Sequence, residues 1–140
     1  MIYQGACHCG AIKVAFETGQ AADRIQVREC QCSFCRRHGG KTVSDPDGRV
    51  EFRFAPGAAK RYRFGTGTGD FLICNGCGGY VGVVMQIGGE LFGIVNVTGA
   101  DMEALAGRAG EPMDYSAESV EARSARRRRI WSPAVVAETA

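Results

Sequence analysis

The sequence predicts a mainly β protein with few and short helices. Three observations carry that expectation. Apolar and polar residues alternate with period two in a series of separate stretches, as they do in strands with one buried face. Glycine is abundant, at 20 of 140 residues, which suits tight turns better than long helices. Helical spacing nowhere extends beyond about a turn or two.

Taken in order, Ile12, Val14 and Phe16 alternate with Lys13, Ala15 and Glu17. Ile25, Val27 and Glu29 alternate with Gln26 and Arg28, and that strand runs into Cys30. Val50, Phe52 and Phe54 form the next series, then Tyr62 and Phe64. Val81, Val83, Met85 and Ile87 make another, followed by Leu91, Gly93, Val95 and Val97. Gly88-Gly89 between these two runs reads as a two-residue hairpin turn, because both positions can take positive φ. Phe34 to His38 is expected to make one helical turn, stopped by Gly39-Gly40, and Asp101 to Leu105 another, with Asp101 near its start.

A hydrophobic content of 45% is ordinary for a globular chain, so a real core is expected. The length suits a single domain over residues 1–140, with 107–140 a C-terminal extension. Residues 107–115 are polar and read as a mobile loop. A net charge of +2 is too small to imply nucleic acid. No apolar run approaches the roughly 18 residues needed to cross a bilayer. Met1 to Gly5 lacks the basic and apolar regions of a secretory signal. A cytoplasmic protein without a membrane partner is therefore expected.

Seven cysteines fall into three clusters: Cys7 and Cys9; Cys30, Cys32 and Cys35; Cys74 and Cys77. A disulfide framework favours an even count and an exported chain, so metal is the better reading. Seven divides into a closed tetrahedral site of four ligands and a three-ligand site with one position open. Cys74-Asn75-Gly76-Cys77-Gly78-Gly79 is the strongest motif, since two intervening residues let both sulfurs reach one ion. A redox dithiol would be followed by a helix, whereas a β pattern follows here. Cys7 and Cys9, two apart in an extended segment, would share a face and can supply half of a four-cysteine site, leaving His8 pointing away.

Cys30-Gln31-Cys32-Ser33-Phe34-Cys35 crowds three thiols that would repel one another as thiolates without a cation. A divalent ion leaves such a site at about −1, and Arg28, Arg36, Arg37 and Lys41 lie close enough in sequence to offset the remainder. The fourth position is then open to water or a substrate thiol, or it is closed by His38 or a cysteine from another cluster.

The order Gly5-Ala6-Cys7-His8-Cys9-Gly10-Ala11, Cys30-Gln31-Cys32-Ser33-Phe34-Cys35-Arg36-Arg37 and Cys74-Asn75-Gly76-Cys77-Gly78 resembles the glutathione-dependent formaldehyde-activating enzyme family, which includes centromere protein V. The resemblance implies a β-tent of twisted antiparallel sheets around zinc. It implies a structural zinc on Cys7, Cys9, Cys74 and Cys77 and a second, catalytic zinc on Cys30, Cys32 and Cys35. Two zinc ions per chain follow, or one where the open site is labile. The implied activity is that of a carbon–sulfur lyase adding glutathione, or another small thiol, to formaldehyde or a related aldehyde.

An open zinc suits that chemistry, because it deprotonates a thiol and polarises a carbonyl. Arg28, Arg36 and Arg37 are candidate partners for an anionic thiol; a solvated basic face is their other reading. The competing function is a zinc-stabilised binding module that meets acidic partners through Arg126 to Arg129. Those four arginines read equally as a solvated segment or as ion-pair partners of Glu118 and Glu121. Trp131 reads as a core anchor for the tail.

Overall fold

Strand β9 (Glu90–Asn96) is the hub of the molecule, and three other strands pair with it. The computed structural model describes residues 1–139. Along one edge β9 pairs throughout with β8 (Tyr80–Ile87). Along the other it pairs first with β11 (Ser132–Glu138), at Phe92 and Gly93. It then pairs with β4 (Thr42–Val43), at Val95 and Asn96. From β8 the sheet continues through β7 (Asp70–Cys74) to β6 (Ala59–Tyr62). From β4 it continues through β3 (Arg28–Cys30) to β10 (Glu111–Met113).

The remaining strands, β1 (Ile2–Ala6), β2 (Lys13–Glu17) and β5 (Arg49–Phe54), form a meander that joins the rest through β11. Most pairs are antiparallel, but β11 runs parallel to β5 and β10 parallel to β3. The expectation of antiparallel sheets is corrected at those two pairs. In both, the added strand comes from the last third of the chain and docks after a long connection, as a parallel pairing requires.

The period-two reading holds for β2 and β5. Val14, Phe16, Val50, Phe52 and Phe54 are all buried in the main core, with Leu72, Val81, Val84 and Val95 opposite them. Gly88 and Gly89, at φ 58° and 84°, make the expected hairpin turn. The single series drawn through Val81, Val83 and Met85 is corrected. Leu72 pairs with Gly82 but Ile73 with Tyr80, so Val81 is an extra residue on β8. A bulge of this kind resets the alternation. Val81 therefore packs in the main core, while Val83 and Met85 face a second cluster with Tyr80, Phe92, Ile94 and Trp131. Both faces of β8 are covered, and its first six residues are buried.

The helices are α1 (Ser33–His38), α2 (Glu103–Ala106) and α3 (Val120–Ile130). Asp101 does not start α2. It sits at φ 51°, and Met102 occupies the N-cap. The 107–115 segment is not a free loop. Arg108 donates to the carbonyls of Ala22 and Ile25, Lys41 Nζ donates to the carbonyls of Ala106 and Arg108, and residues 111–113 form β10.

Phe52 of β5 lies directly over Gly82 of β8. A Cβ at Gly82 would stand 2.5 Å from Phe52 Cζ and would also strike the Ile94 carbonyl oxygen. Overpacking of this kind costs about 1–3 kcal/mol. Gly82→Ala is expected to lower the melting temperature by several degrees or more. An unchanged melting curve would show that the sheets part there freely.

Candidate metal centres

The seven cysteines are free thiols gathered into two groups. Sulfurs of Cys7, Cys9, Cys74 and Cys77 all lie within 4.8 Å of one another. Cys7 follows β1 and is buried; Cys9 is exposed. The expected extended geometry of this pair is corrected: the chain turns, Gly10 N–H donates to the Cys7 carbonyl at 2.9 Å, and Gly10 takes φ 83°. A turn serves where extension was expected, because it aims both sulfurs inward while leaving His8 in solvent.

Cys74 ends β7, and a turn through Gly78 at φ 77° returns Cys77 beside it. The two turns meet with 3.8 Å between Cys7 and Cys9 sulfurs and 3.5 Å between those of Cys9 and Cys74. Tetrahedral zinc with bonds of about 2.3 Å places its sulfurs about 3.8 Å apart, so the donor set fits such an ion. Backbone amides are already aimed at the sulfurs: Ile12 N–H to Cys7 and Gly76 N–H to Cys74, each at 3.3 Å. Hydrogen bonds to a thiolate favour its charged form. Cys77 is pulled down to about 6, chiefly by the Cys9 backbone N–H.

The second group contains the sulfurs of Cys30, Cys32 and Cys35, also within 4.8 Å of one another. Cys30 ends β3, Cys32 is the N-cap of α1, and Cys35 lies in the first turn. The Cys32 sulfur accepts the Cys35 N–H at 3.3 Å, so the cap is itself a metal-ligand type. Hydrogen bonding with Cys30 lowers the Cys32 thiol and raises that of Cys35, while Cys30 is raised by Cys32. Three thiols thus compete for protons that a cation would displace. Among the described residues no His, Asp, Glu or fourth Cys joins this group. His38 instead stacks on Phe34, with centroids 4.3 Å apart.

Three cavities border these sulfurs: a shallow one of about 340 Å³ lies against Cys30 and Cys35 beside Arg36 and Lys41, and two others adjoin each other on the side of α3. An inner one of about 60 Å³ lies against Cys30 and Cys35, walled by Phe71, Val83, Ile94 and Trp131. An outer one of about 160 Å³ lies against Cys30 and Cys32, bounded by Phe64, Thr66 and Tyr115. Asn96 holds the frame: its Oδ1 accepts Lys41 N–H at 3.0 Å, and its Nδ2 donates to the Tyr80 carbonyl at 2.8 Å.

The charges around the cavities differ from those expected. Arg28 lines the inner cavity. Arg36 and Lys41 border only the shallow third cavity, and Arg37 none of the three; Arg36 and Arg37 are exposed and donate to the carbonyls of Gln31 and Ser33. Helix α3 supplies what sequence proximity missed. Arg126 and Arg127 line the inner and outer cavities. Arg126 pairs in bidentate fashion with Glu118, at 2.8 and 3.0 Å, and lies 3.6 Å from the Tyr115 ring centroid. Arg127 is buried beside Trp131, which is itself buried as a core anchor. Of the four arginines only Arg128 and Arg129 are exposed, so the solvated reading is corrected for the first two.

These observations define a mostly β chain carrying two preformed thiol clusters able to hold metal, one of four sulfurs and one of three beside a cavity. The chain belongs to the glutathione-dependent formaldehyde-activating enzyme family, which it matches over residues 2–113. Its fold is also similar to the crystal structure of a Rhodobacter sphaeroides protein. That chain is 29% identical, with a TM-score of 0.53, and the match covers 78% of this chain and 97% of that one. No curated protein matches the sequence.

The Glu118–Arg126 pair fastens α3 and Tyr115 over the outer cavity. The hydrogen bond from Arg126 lowers the Glu118 pKa below its ordinary value of 4.5. A lowered folded-state pKa gives stability that is complete above the ordinary value and is lost as pH falls through the lowered one. Glu118→Gln is therefore expected to melt lower than the parent at pH 7, with the gap closing as pH drops below about 4. A gap that is constant with pH would exclude the carboxylate's charge as its source.

Proposed function

We propose that this protein is a zinc-dependent carbon–sulfur lyase that joins glutathione, or another small thiol, to formaldehyde or a related aldehyde. The observation that supports this most is the three-sulfur group of Cys30, Cys32 and Cys35 standing beside a cavity, with one side uncovered by any other donor among the described residues. Cys7, Cys9, Cys74 and Cys77 would hold a closed, structural zinc, and Cys30, Cys32 and Cys35 a second, reactive one. A zinc ion with an open position supplies acidity, lowering the pKa of a thiol and drawing electrons from a carbonyl oxygen.

The chain's own residues do the rest. The Cys35 amide fixes the Cys32 sulfur. Phe71, Val83, Ile94 and Trp131 make the inner cavity apolar on one side, limiting water around the reacting carbon. Tyr115 borders the inner and outer cavities and is held by Arg126. In the reaction the thiol gives up its proton and its sulfur pair forms the C–S bond. The carbonyl π pair moves to oxygen, which takes a proton, so the product is a hydroxyalkyl thioether and nothing is oxidised. Free thiols suit a reducing compartment, and the cytoplasm is the proposed location. The whole chain acts as one unit in this reading, since β11 pairs with strands of both halves.

Elemental analysis of chelator-free protein is expected to find close to two zinc ions per chain. Apparent zinc binding at structural sites is worth about 10–16 kcal/mol, so Cys74→Ser should yield insoluble or strongly destabilised protein. Cys32→Ser should stay folded and retain about one zinc. Equal thermal losses in the two variants would remove the division of roles. For the reaction itself, NMR exchange between free and adduct glutathione in the presence of formaldehyde should be faster with the parent protein than with Cys32→Ser. Matching rates would reject the lyase reading.

A further inference from the structure

Arg28 and Arg127 reach the inner cavity from different elements, one from β3 and the other from α3. They are 5% and 8% exposed. A buried guanidinium without a counter-charge is costly. Among the described residues neither forms an ion pair with a carboxylate. Glu118 is engaged by Arg126 and Arg123, and no acidic side chain lines the inner cavity. Asp114 stands at the mouth of the outer cavity, exposed and accepting the Ser116 N–H.

The polar contacts they do make are few. Arg28 Nη2 donates to Ser44 Oγ at 2.6 Å. Arg127 Nη1 donates to Thr68 Oγ1 at 3.2 Å and meets Met85 Sδ at 3.1 Å, while its buried Nε has no partner. Each guanidinium carries five N–H donors, so most of the donor capacity is unspent. Burial brings Arg127 down to about 10, which leaves it a cation at neutral pH.

Three thiolates and one divalent ion sum to about −1. Two buried arginines exceed that by one positive charge. The excess calls for an anion inside the cavity, and a planar carboxylate matches the guanidinium fork. We propose that Arg28 and Arg127 form a carboxylate subsite next to Cys30 and Cys35, which makes the substrate a small thiol that carries an acid group. This rests on the thiol-binding reading above and adds to it the residues that select the thiol. Arg127 lies beyond the residues that match the family, so the selecting charge comes from the C-terminal helix.

The test uses zinc-loaded protein titrated by calorimetry with 3-mercaptopropionate and with 3-mercaptopropionamide, a neutral thiol of the same shape. The parent is expected to bind the acid more tightly by about tenfold or more, the usual worth of a charge-assisted hydrogen bond. Arg127→Met should abolish that preference, leave the amide's affinity within about twofold and retain the parent's zinc content. Arg127→Lys keeps the charge without the fork and should fall between.

Equal binding of the two thiols by the parent overturns the subsite and leaves thiol binding intact. Binding of neither thiol overturns both. Loss of zinc, or equal weakening of both thiols, in Arg127→Met would make the arginine a counter-charge to the metal site and also overturns the proposal. Should Arg127→Met fail to fold, Arg28→Met and Arg127→Lys decide: full retention of the acid preference in both overturns it.

Discussion

Four sulfur atoms brought within 4.8 Å of one another form the contact on which the two halves of this molecule depend. Cys7 and Cys9 belong to the turn between β1 and β2, whereas Cys74 and Cys77 belong to the turn between β7 and β8. The sequence separation across this contact is 65 residues between Cys9 and Cys74. Unliganded thiolates at such spacing repel, and buried thiols gain little from one another. A divalent ion held there would turn the same spacing into a cross-link whose binding energy becomes folding energy. Near this corner Cys7 and Cys74 are packed in the main core, so the sulfur geometry and the hydrophobic packing fix the same approach of the sheets.

The second sulfur group follows from that frame but answers to different forces. It uses one short segment, the end of β3 and the first turn of α1, so its formation needs no distant chain. What distant chain supplies is the surroundings. Trp131 and Arg127 arrive from the C-terminal helix, and Val83, Ile94 and Phe71 from the central strands. The result is a low-dielectric wall carrying buried cations beside a group of acids, where charge interactions are stronger than in water. The same arginines on a solvated face would be screened.

Much of this was legible in the sequence. Alternation placed Val14, Phe16, Val50 and Phe52 in the core, and Gly88-Gly89 in a hairpin turn. Cysteine spacing gave three clusters; the joining of Cys7 and Cys9 with Cys74 and Cys77 into one group came from family resemblance and not from spacing. The failures have physical causes. Period two cannot show a bulge, so Val81 was assigned to the wrong face. Helix α3 escaped because hydrophobic periodicity looks for an apolar stripe, and here the inward-facing residue is Arg127. Ser119 was the available signal: its hydroxyl caps the helix by accepting the Ala122 N–H at 3.1 Å.

Sequence proximity misled most where charge was concerned. Arg36 and Arg37 adjoin Cys35, yet α1 leaves both exposed and bonded to backbone carbonyls, with Arg36 alone bordering a shallow cavity against Cys30 and Cys35. Arg28 is two residues from Cys30, and a strand puts residues i and i+2 on one face, so its inward position has a local cause. Arg126 to Arg129 are consecutive, but a helix rotates about 100° per residue. One run of like charge therefore becomes an ion-paired Arg126, a buried Arg127 and two exposed cations. The run cannot act as a single basic patch, because its first two members are turned toward the sulfur site. Helical rotation thus changes the meaning of the tail: the first two residues of a run that reads as a surface for acidic partners instead place positive charge beside the three-sulfur group.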